Sequence, residues 1–393
     1  MAKKIVLRTW QKEAIIEWKK SNKGIVKVVT AAGKTIFAIE CIKHALKENK
    51  FNILVLVPTI TLVEQWKIEL KEILNIEFKI NNGSNKVYTQ SQFIISTNAS
   101  IKNFHPSINH ENTFLISDEC HRLGTQKMGE MLQGNWKYTL GLSATPEREF
   151  DDNFEEIIQP ILGRIIYEYN YSNAYRDKVI TKFELINAYA PMFEHEEEEY
   201  EEISNKISKR IAMLGHFDKT DKALQALFFK RARVVKDSLT RIPAGIKCIQ
   251  QDSKLKWLVF TESIKQANKF NKILIKNRYR SALYHSGISK LQGKMNLKDF
   301  KEFDIDILVT CKSLDEGFDY SFIDAGLILS GSSSTRQRIQ RMGRILRLAK
   351  DKNIGKIYSI YCSDDEEKRL KDEMLNFDEK DTKVKWIKFK VHA

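Results

Sequence analysis

The chain has 393 residues, 42% of them hydrophobic, more than one core usually organises, so two folded domains of ordinary size are expected. Lys and Arg number 65 against 51 Asp and Glu, a net charge of +14; this favours a polyanionic partner, although a chain so rich in Lys, Asn and Ile owes part of its basicity to composition bias. Cys41, Cys120, Cys248, Cys311 and Cys362 are odd in number and never spaced C-x-x-C, which argues against a zinc ribbon or a disulfide framework, and no apolar run reaches the roughly eighteen residues of a membrane span.

In chain order, Ile25 to Val29, Ile53 to Val57, Phe93 to Ser96, Phe114 to Ser117 and Tyr138 to Leu142 are predicted strands, with helical patterns between them. Gly33 to Leu46 shows the period, with Ile36, Ile39, Ile42 and Leu46 on one face and Lys43 and Lys47 away from it. Such alternation makes a parallel sheet wrapped by helices, with ligands at its loop edge. After Tyr167 the rhythm breaks. Residues 194–202 are almost wholly acidic, a solvated helix face; helical periodicity runs from Ser204 to Leu239, closed by Pro243, Ala244 and Gly245. Strand-like runs resume at Trp257 to Phe260, Ile305 to Thr310, Ala325 to Leu329 and Ile357 to Tyr361. The expected organisation is a nucleotide-binding lobe at 1–168, a connector with a helical insert at 169–248 and a second α/β lobe at 249–393.

Val28 to Thr35 reads V-V-T-A-A-G-K-T after a predicted strand and at the start of a predicted helix, where backbone N–H groups can hold phosphates. There Thr30, Ala31, Ala32 and Gly33 form the loop, Lys34 reaches the β and γ phosphates of ATP, and the Thr35 hydroxyl coordinates Mg²⁺. Val28 replaces the first Gly of the general pattern and Ala31 a second common one, so position 31 must avoid backbone conformations that only Gly tolerates. Downstream, the apolar run Leu115 to Ser117 ends in Asp118-Glu119-Cys120-His121. A lone Asp-Glu pair is most often a solvated turn. Following a phosphate loop, and at a strand's C-terminal end, the pair suits Asp118 to Mg²⁺ and Glu119 to general-base work.

Across nearly the whole chain the motifs resemble those of superfamily 2 helicases of the D-E-x-H class, in that family's order. Leu7 to Gln11 resembles the adenine-reading segment, with Arg8 and Gln11 at the nucleotide. Val55 to Trp66, with Pro58-Thr59, resembles motif Ia; Ser96-Thr97, motif Ib; Ser143 to Pro146, motif III; and Val259 to Ser263, motif IV. Tyr284 to Gly287 resembles the strand-contacting segment that follows; Thr310 with Asp315 to Asp319, motif V; and Gln340 to Arg347, motif VI. The resemblance implies two tandem RecA-like lobes with a helical insert, ATP and Mg²⁺ as cofactors, nucleotide contacts from Gly317 and Asp319, and DNA contacts from Pro58, Thr59, Thr97, Thr261, His285 and Thr310. It makes His121, Ser143 and Thr145 coupling residues, His121 by a hydrogen bond across the cleft between lobes. Gln340, Arg344 and Arg347 fall at i, i+4 and i+7, on one helical face, where guanidinium groups can stabilise charge on γ-phosphoryl oxygens.

The string Q-R-x-G-R-I-L-R is closer to the XPB-like group than to DEAD-box RNA helicases. The single insert and compact length resemble the UvsW-type phage helicases of branch migration. That implies a monomeric 3′-to-5′ motor on single-stranded and branched DNA in replication, recombination or repair, in the cytoplasm of a bacterium or a phage-infected host and alongside replication or recombination proteins. The chain departs from that group in one respect: its adenine-reading segment begins almost at the first residue, so no separate N-terminal DNA-binding domain is expected. Two other classes stay open. A motor subunit of a restriction or defence complex would need a nuclease partner, since no nuclease site is assignable after Tyr361; a degenerate ATPase clamping nucleic acid has only Ala31 in its favour. The insert's Lys206, Lys209, Arg210, Lys230, Arg231 and Arg233 either meet duplex at a branch point or belong to helices that brace the second lobe.

Overall fold

Strands made of unbroken Ile, Leu and Val must be covered on both faces, which parallel sheets flanked by helices achieve. The computed structural model describes all residues except 1–4, 31, 49–50, 90, 147–151, 181, 219, 312–321, 331–353, 375–381 and 390–393, in two compact units that meet in sequence at residue 180. The first contains β1 (Ile25–Val28), β2 (Asn52–Val57), β3 (Lys79–Asn81), β4 (Phe93–Thr97), β5 (Thr113–Asp118), β6 (Tyr138–Ser143) and β7 (Ile165–Tyr169), with α1 (Thr9–Lys19), α2 (Lys34–Glu48), α3 (Ile60–Leu74), α4 (Gln126–Leu132), α5 (Gln159–Leu162) and α6 (Tyr171–Arg176) around them. The order is β3-β4-β2-β5-β6-β1-β7, parallel throughout. Every residue of β5 is buried: Leu115 joins a core with Leu54, Leu56 and Trp136, while Phe114 stacks on Trp18 at 5.2 Å. Because β5, β6 and β1 are neighbours pointing the same way, the segments that leave their C-terminal ends share one edge.

The second unit orders β8 (Lys182–Tyr189), β9 (Trp257–Thr261), β10 (Ser281–Tyr284), β11 (Ile307–Cys311), β12 (Ala325–Ile328), β13 (Ile354–Tyr361) and β14 (Thr382–Lys388) as β10-β11-β9-β12-β13-β8-β14. β8 lies in the stretch expected to be connector, yet pairs with β13 over its full length and with β14 on its other side. Its buried polar residues, Glu184 and Asn187, hide it from a search for apolar runs; Glu184 is met by Lys385 of β14 at 2.6 Å. α7 (Glu194–Leu214) and α8 (Lys222–Asp237) form a helical hairpin around Ile203, Ile207 and Leu224. Most of its acidic start is solvated as expected, but Glu196 is buried: it accepts from the Ser238 hydroxyl at 2.9 Å and the Leu239 N–H at 2.8 Å, tying the beginning of α7 to the end of α8.

α9 (Arg241–Gln251) runs through the Pro243 and Gly245 expected to close the helical stretch. Pro243 is the third helical residue, where its missing N–H breaks no intrahelical bond. Gly245 permits close packing, since a Cβ there would lie 2.6 Å from Leu329 Cδ1 and 3.0 Å from Phe270 Cε2. Two further helices, α10 (Ile264–Lys276) and α11 (Lys290–Lys301), and the helix Asp364–Met374 complete the unit. At its centre Arg241, fully buried, donates to the carbonyls of Val235 (2.8 Å), Leu329 (3.1 Å) and Ile360 (2.8 Å) and to both oxygens of Glu366 (2.7 and 2.6 Å). Removing one partner of a buried pair strands the other, so Arg241→Met or Glu366→Gln should each cost the second unit about 3–5 kcal/mol. Urea denaturation followed by a probe in each unit checks this; a loss within about 0.5 kcal/mol, as at an ordinary surface site, would contradict it.

Candidate nucleotide site

The phosphate loop links β1 to α2 at the shared edge of the first unit. The Phe37 amide bonds back to the Gly33 carbonyl at 3.3 Å, and the amides ahead of it at the helix start have no intrahelical carbonyl to meet. Gly33 sits at φ +95°, and a Cβ there would come within 3.0 Å of Gln11 Nε2, so the Gly of G-K-T is required by backbone conformation as well as space. α1 supports the loop from beneath. Arg8 Nη1 (3.2 Å) and Trp10 Nε1 (3.3 Å) donate to the Ala32 carbonyl, and Gln11 Nε2 donates to the Gly33 carbonyl at 2.9 Å while its Oε1 accepts the Arg8 N–H at 2.8 Å. The adenine-reading candidates Arg8 and Gln11 therefore bond the phosphate loop directly. Thr30 Oγ1 is buried without a hydrogen-bond partner, and Thr35 is half-buried. Ala31, Gly317, Asp319, Gln340, Arg344 and Arg347 lie outside the described residues.

β5 carries the carboxylates to the same edge. Asp118 is 5% exposed; its Oδ1 accepts the Glu119 N–H and its Oδ2 the Trp66 indole N–H, both at 3.0 Å. Burial, aided by the neighbouring Glu119, raises its carboxyl above the ordinary range against the pull of Lys34 and these two bonds. Glu119 adopts the left-handed conformation, φ +49°, uncommon for a non-glycine residue and typical of functional turns. Its Oε1 lies 2.7 Å from Lys34 Nζ and its Oε2 3.5 Å from His121 Nδ1. His121, 1% exposed, has that nitrogen 3.1 Å from Ser143 Oγ, which accepts the Thr145 N–H at 3.1 Å. This His121 contact lies within the first unit, because β5 and β6 are paired neighbours. An ammonium, two carboxylates, an imidazole and a hydroxyl thus converge from α2, β5 and β6, a set able to bind phosphate, hold a cation and accept a proton from water.

The residues assigned to the DNA strand mostly turn their polar atoms inward. Thr59 Oγ1 caps α3 through Leu62 N–H (3.3 Å), and Thr97 Oγ1 donates to Ser100 Oγ (2.8 Å). Thr261 Oγ1 donates to the Thr310 carbonyl (2.9 Å) and Thr310 Oγ1 to that of Val259 (3.0 Å). His285 Nδ1 accepts the Gly287 N–H at 3.1 Å, which leaves the proton on Nε2, 2.9 Å from Asn268 Oδ1; burial lowers its pKa. Pro58 and Thr59 are half-buried, the other four buried. Two residues that sequence reasoning left without a role, Trp10 and Trp66, bond the site through their indole nitrogens.

The sequence matches the family model described as type III restriction enzyme, res subunit over residues 4–148, and the helicase conserved C-terminal domain over 240–349. It is similar to the DNA 3′-5′ translocase XPB2 of Sulfurisphaera tokodaii, 26% identical over 366 residues that cover 89% of this chain and 80% of the relative. It is also similar to the putative DNA 3′-5′ helicase Rad25 of Halobacterium salinarum, 22% identical over 87% of this chain and only 52% of that one. The fold resembles the ATP-dependent type ISP restriction-modification enzyme LlaBIII bound to DNA, with TM-score 0.64 and 15% identity over 98% of this chain and 31% of the larger protein.

Lys34→Ala and Glu119→Gln should each abolish ATP turnover while circular dichroism and melting show a folded protein. Retained hydrolysis in either variant would remove the site assignment.

Proposed function

We propose that this chain, a superfamily 2 helicase whose ATP hydrolysis is coupled to translocation, runs on DNA from 3′ to 5′. The observation that carries the reading is the convergence of Lys34, Asp118, Glu119, His121 and Ser143 at adjacent strand ends, in a chain matched in order by the res-subunit and helicase C-terminal families. DNA and polarity are supported by the relatives' names and by the surplus of basic residues.

The site fits ATP with Mg²⁺. The orphaned Thr30 hydroxyl, the helix-start amides and Lys34 suit phosphate oxygens. Thr35 and Asp118 are the protein groups that would hold the ion, whose chemistry is to neutralise phosphate charge. Among the described residues no cluster of three or more His, Cys, Asp or Glu could hold a metal by itself, so phosphate oxygens and water would complete its shell. Lys34 rests 2.7 Å from Glu119, and its ammonium, with three N–H donors, could reach bound phosphate oxygens from there. Glu119 is the carboxylate that would accept the proton of the attacking water, and His121, beside it, connects through Ser143 to Thr145. Gln340, Arg344 and Arg347 are assigned to the γ-phosphoryl group by their sequence pattern. Arg347→Ala should preserve ATP binding and slow hydrolysis by about 10³-fold; weakened ATP affinity with normal turnover would contradict that role.

Branched DNA is the finer part of the reading, and it depends on the α7–α8 hairpin. Four of the hairpin's six basic candidates have internal partners: Lys206 with Glu202, Arg210 with Asp221, Lys230 with Glu199 and Arg231 with Asp365. Arg231 also lies over the rings of Tyr200 and Phe228, at 5.3 and 5.5 Å, as a brace would. Lys209 and Arg233 are exposed, and the pairs of Lys206 and Lys230 are solvent-exposed ones that hold little energy. Replacing Lys209 and Arg233 with Ala should impair unwinding of forked or four-way DNA more than ATP turnover on single strands, whereas Arg231→Ala should mainly lower stability. Equal loss in both assays for the double variant would make the whole hairpin a brace.

The reading as a whole is tested by ATPase assays with single-stranded, duplex, forked and four-way DNA and with RNA in parallel. DNA should stimulate hydrolysis, and rising salt should weaken the stimulation as counterion release becomes less favourable. Stimulation by RNA alone would overturn the choice of track. The res-subunit match keeps a restriction motor as a second reading, tested by whether a nuclease co-purifies from the native host.

A further inference from the structure

We propose that Trp66 is a positioning residue: it fixes the orientation of the Asp118 carboxylate and mechanically ties it to α3. The inference rests on the reading of Asp118 as the magnesium-holding group.

An indole N–H is a donor only, and in an apolar core it costs stability unless an acceptor meets it. Trp66 has no solvent exposure, so its ring could have been replaced by a purely apolar one if packing were its whole task. Its N–H instead meets Asp118 Oδ2 at 3.0 Å, across 52 positions of sequence. The other carboxylate oxygen is held by the Glu119 N–H. With one donor on each oxygen, the plane of the carboxylate cannot rotate without breaking a buried bond, so the remaining lone pairs keep one direction.

The second half of the inference concerns what moves with Trp66. α3 packs through Leu62, Val63, Trp66, Leu70 and Ile73 and begins at the Thr59 cap. It follows β2, which is directly paired with β5, Leu56 against Ser117. Pro58 and Thr59, the segment read as facing the nucleic-acid strand, therefore lie two turns up the helix from the Asp118 donor. A small shift of α3 on strand binding is transmitted to the carboxylate through one hydrogen bond, a direct route by which DNA could alter the Mg²⁺ site.

The test uses the full-length protein and a fluorescent ATP analogue titrated once with Mg²⁺ and once in EDTA. Trp66→Phe keeps an aromatic ring and removes the donor; Leu70→Ala opens a cavity on the same buried face of α3 and leaves the donor intact. Trp66→Phe should lose about tenfold of the Mg²⁺-dependent gain in affinity, the scale at which partners of metal ligands act, with binding in EDTA unchanged. Its DNA-stimulated to basal ATPase ratio should also fall. Leu70→Ala should melt at a lower temperature and keep both the gain and the ratio. Trp66→Met, which fills the same space without a donor, repeats the measurement if the Phe variant is too unstable to purify. A full Mg²⁺-dependent gain in the Trp66 variants, or an equal loss in Leu70→Ala, overturns the proposal and leaves the magnesium reading standing. A wild-type protein with no Mg²⁺-dependent gain overturns the magnesium reading and this inference with it.

Discussion

Two adjacent carboxylates at the end of a strand buried on both faces impose the constraint around which the first unit is arranged. Carboxylates removed from water lose hydration, and side by side they repel each other, so they persist only where other groups supply charge and donors. Those groups arrive from elements distant in sequence: Lys34 from α2, Trp66 from α3, and Ser143 from β6, which partners His121 just beyond β5. Each is delivered by an element that the parallel sheet places beside the end of β5. Lys34, the ammonium beside Glu119, is thereby also held at the phosphate loop.

Arg241 repeats this logic in the second unit with a different outcome. It too is a buried charge met by an opposite charge and by backbone carbonyls, but no donor or acceptor of the group is left over. A satisfied ion pair of that kind specifies how α9, β12, β13 and the helix Asp364–Met374 come together, and offers nothing to a ligand. The first unit's cluster, by contrast, retains an orphan hydroxyl at Thr30, a buried polar atom of the kind a ligand or water can satisfy.

The chemistry was legible where identity and order suffice. Lys34, Asp118 and Glu119 stand out in the sequence because a phosphate loop has a fixed spacing and because an apolar run ending in Asp-Glu has few uses, and the structure brings the three side chains together. Tertiary partners were less legible. Thr97, Thr261, Thr310 and His285 stand in motif positions that suggest strand contact, yet each satisfies its polar atoms within its own unit. β8 was missed because Glu184 and Asn187 interrupt its apolar character. α9 goes unread because Pro243 and Gly245, taken as closing the helical stretch before it, occupy positions where a helix tolerates the one and close packing demands the other.

The amino-acid order by itself determined that the chain builds parallel α/β sheets, that a phosphate loop precedes an acidic strand end, and that the motif series is that of a helicase. Periodicity and short-range spacing carry this information, since they depend only on backbone geometry and on residues a few positions apart. The tertiary structure alone decided which donors reach Asp118, that Glu119 rests against Lys34, and that Arg231 meets Asp365 and lies over Tyr200 and Phe228. Those outcomes depend on the direction of side chains brought together from remote segments, and sequence spacing does not encode direction.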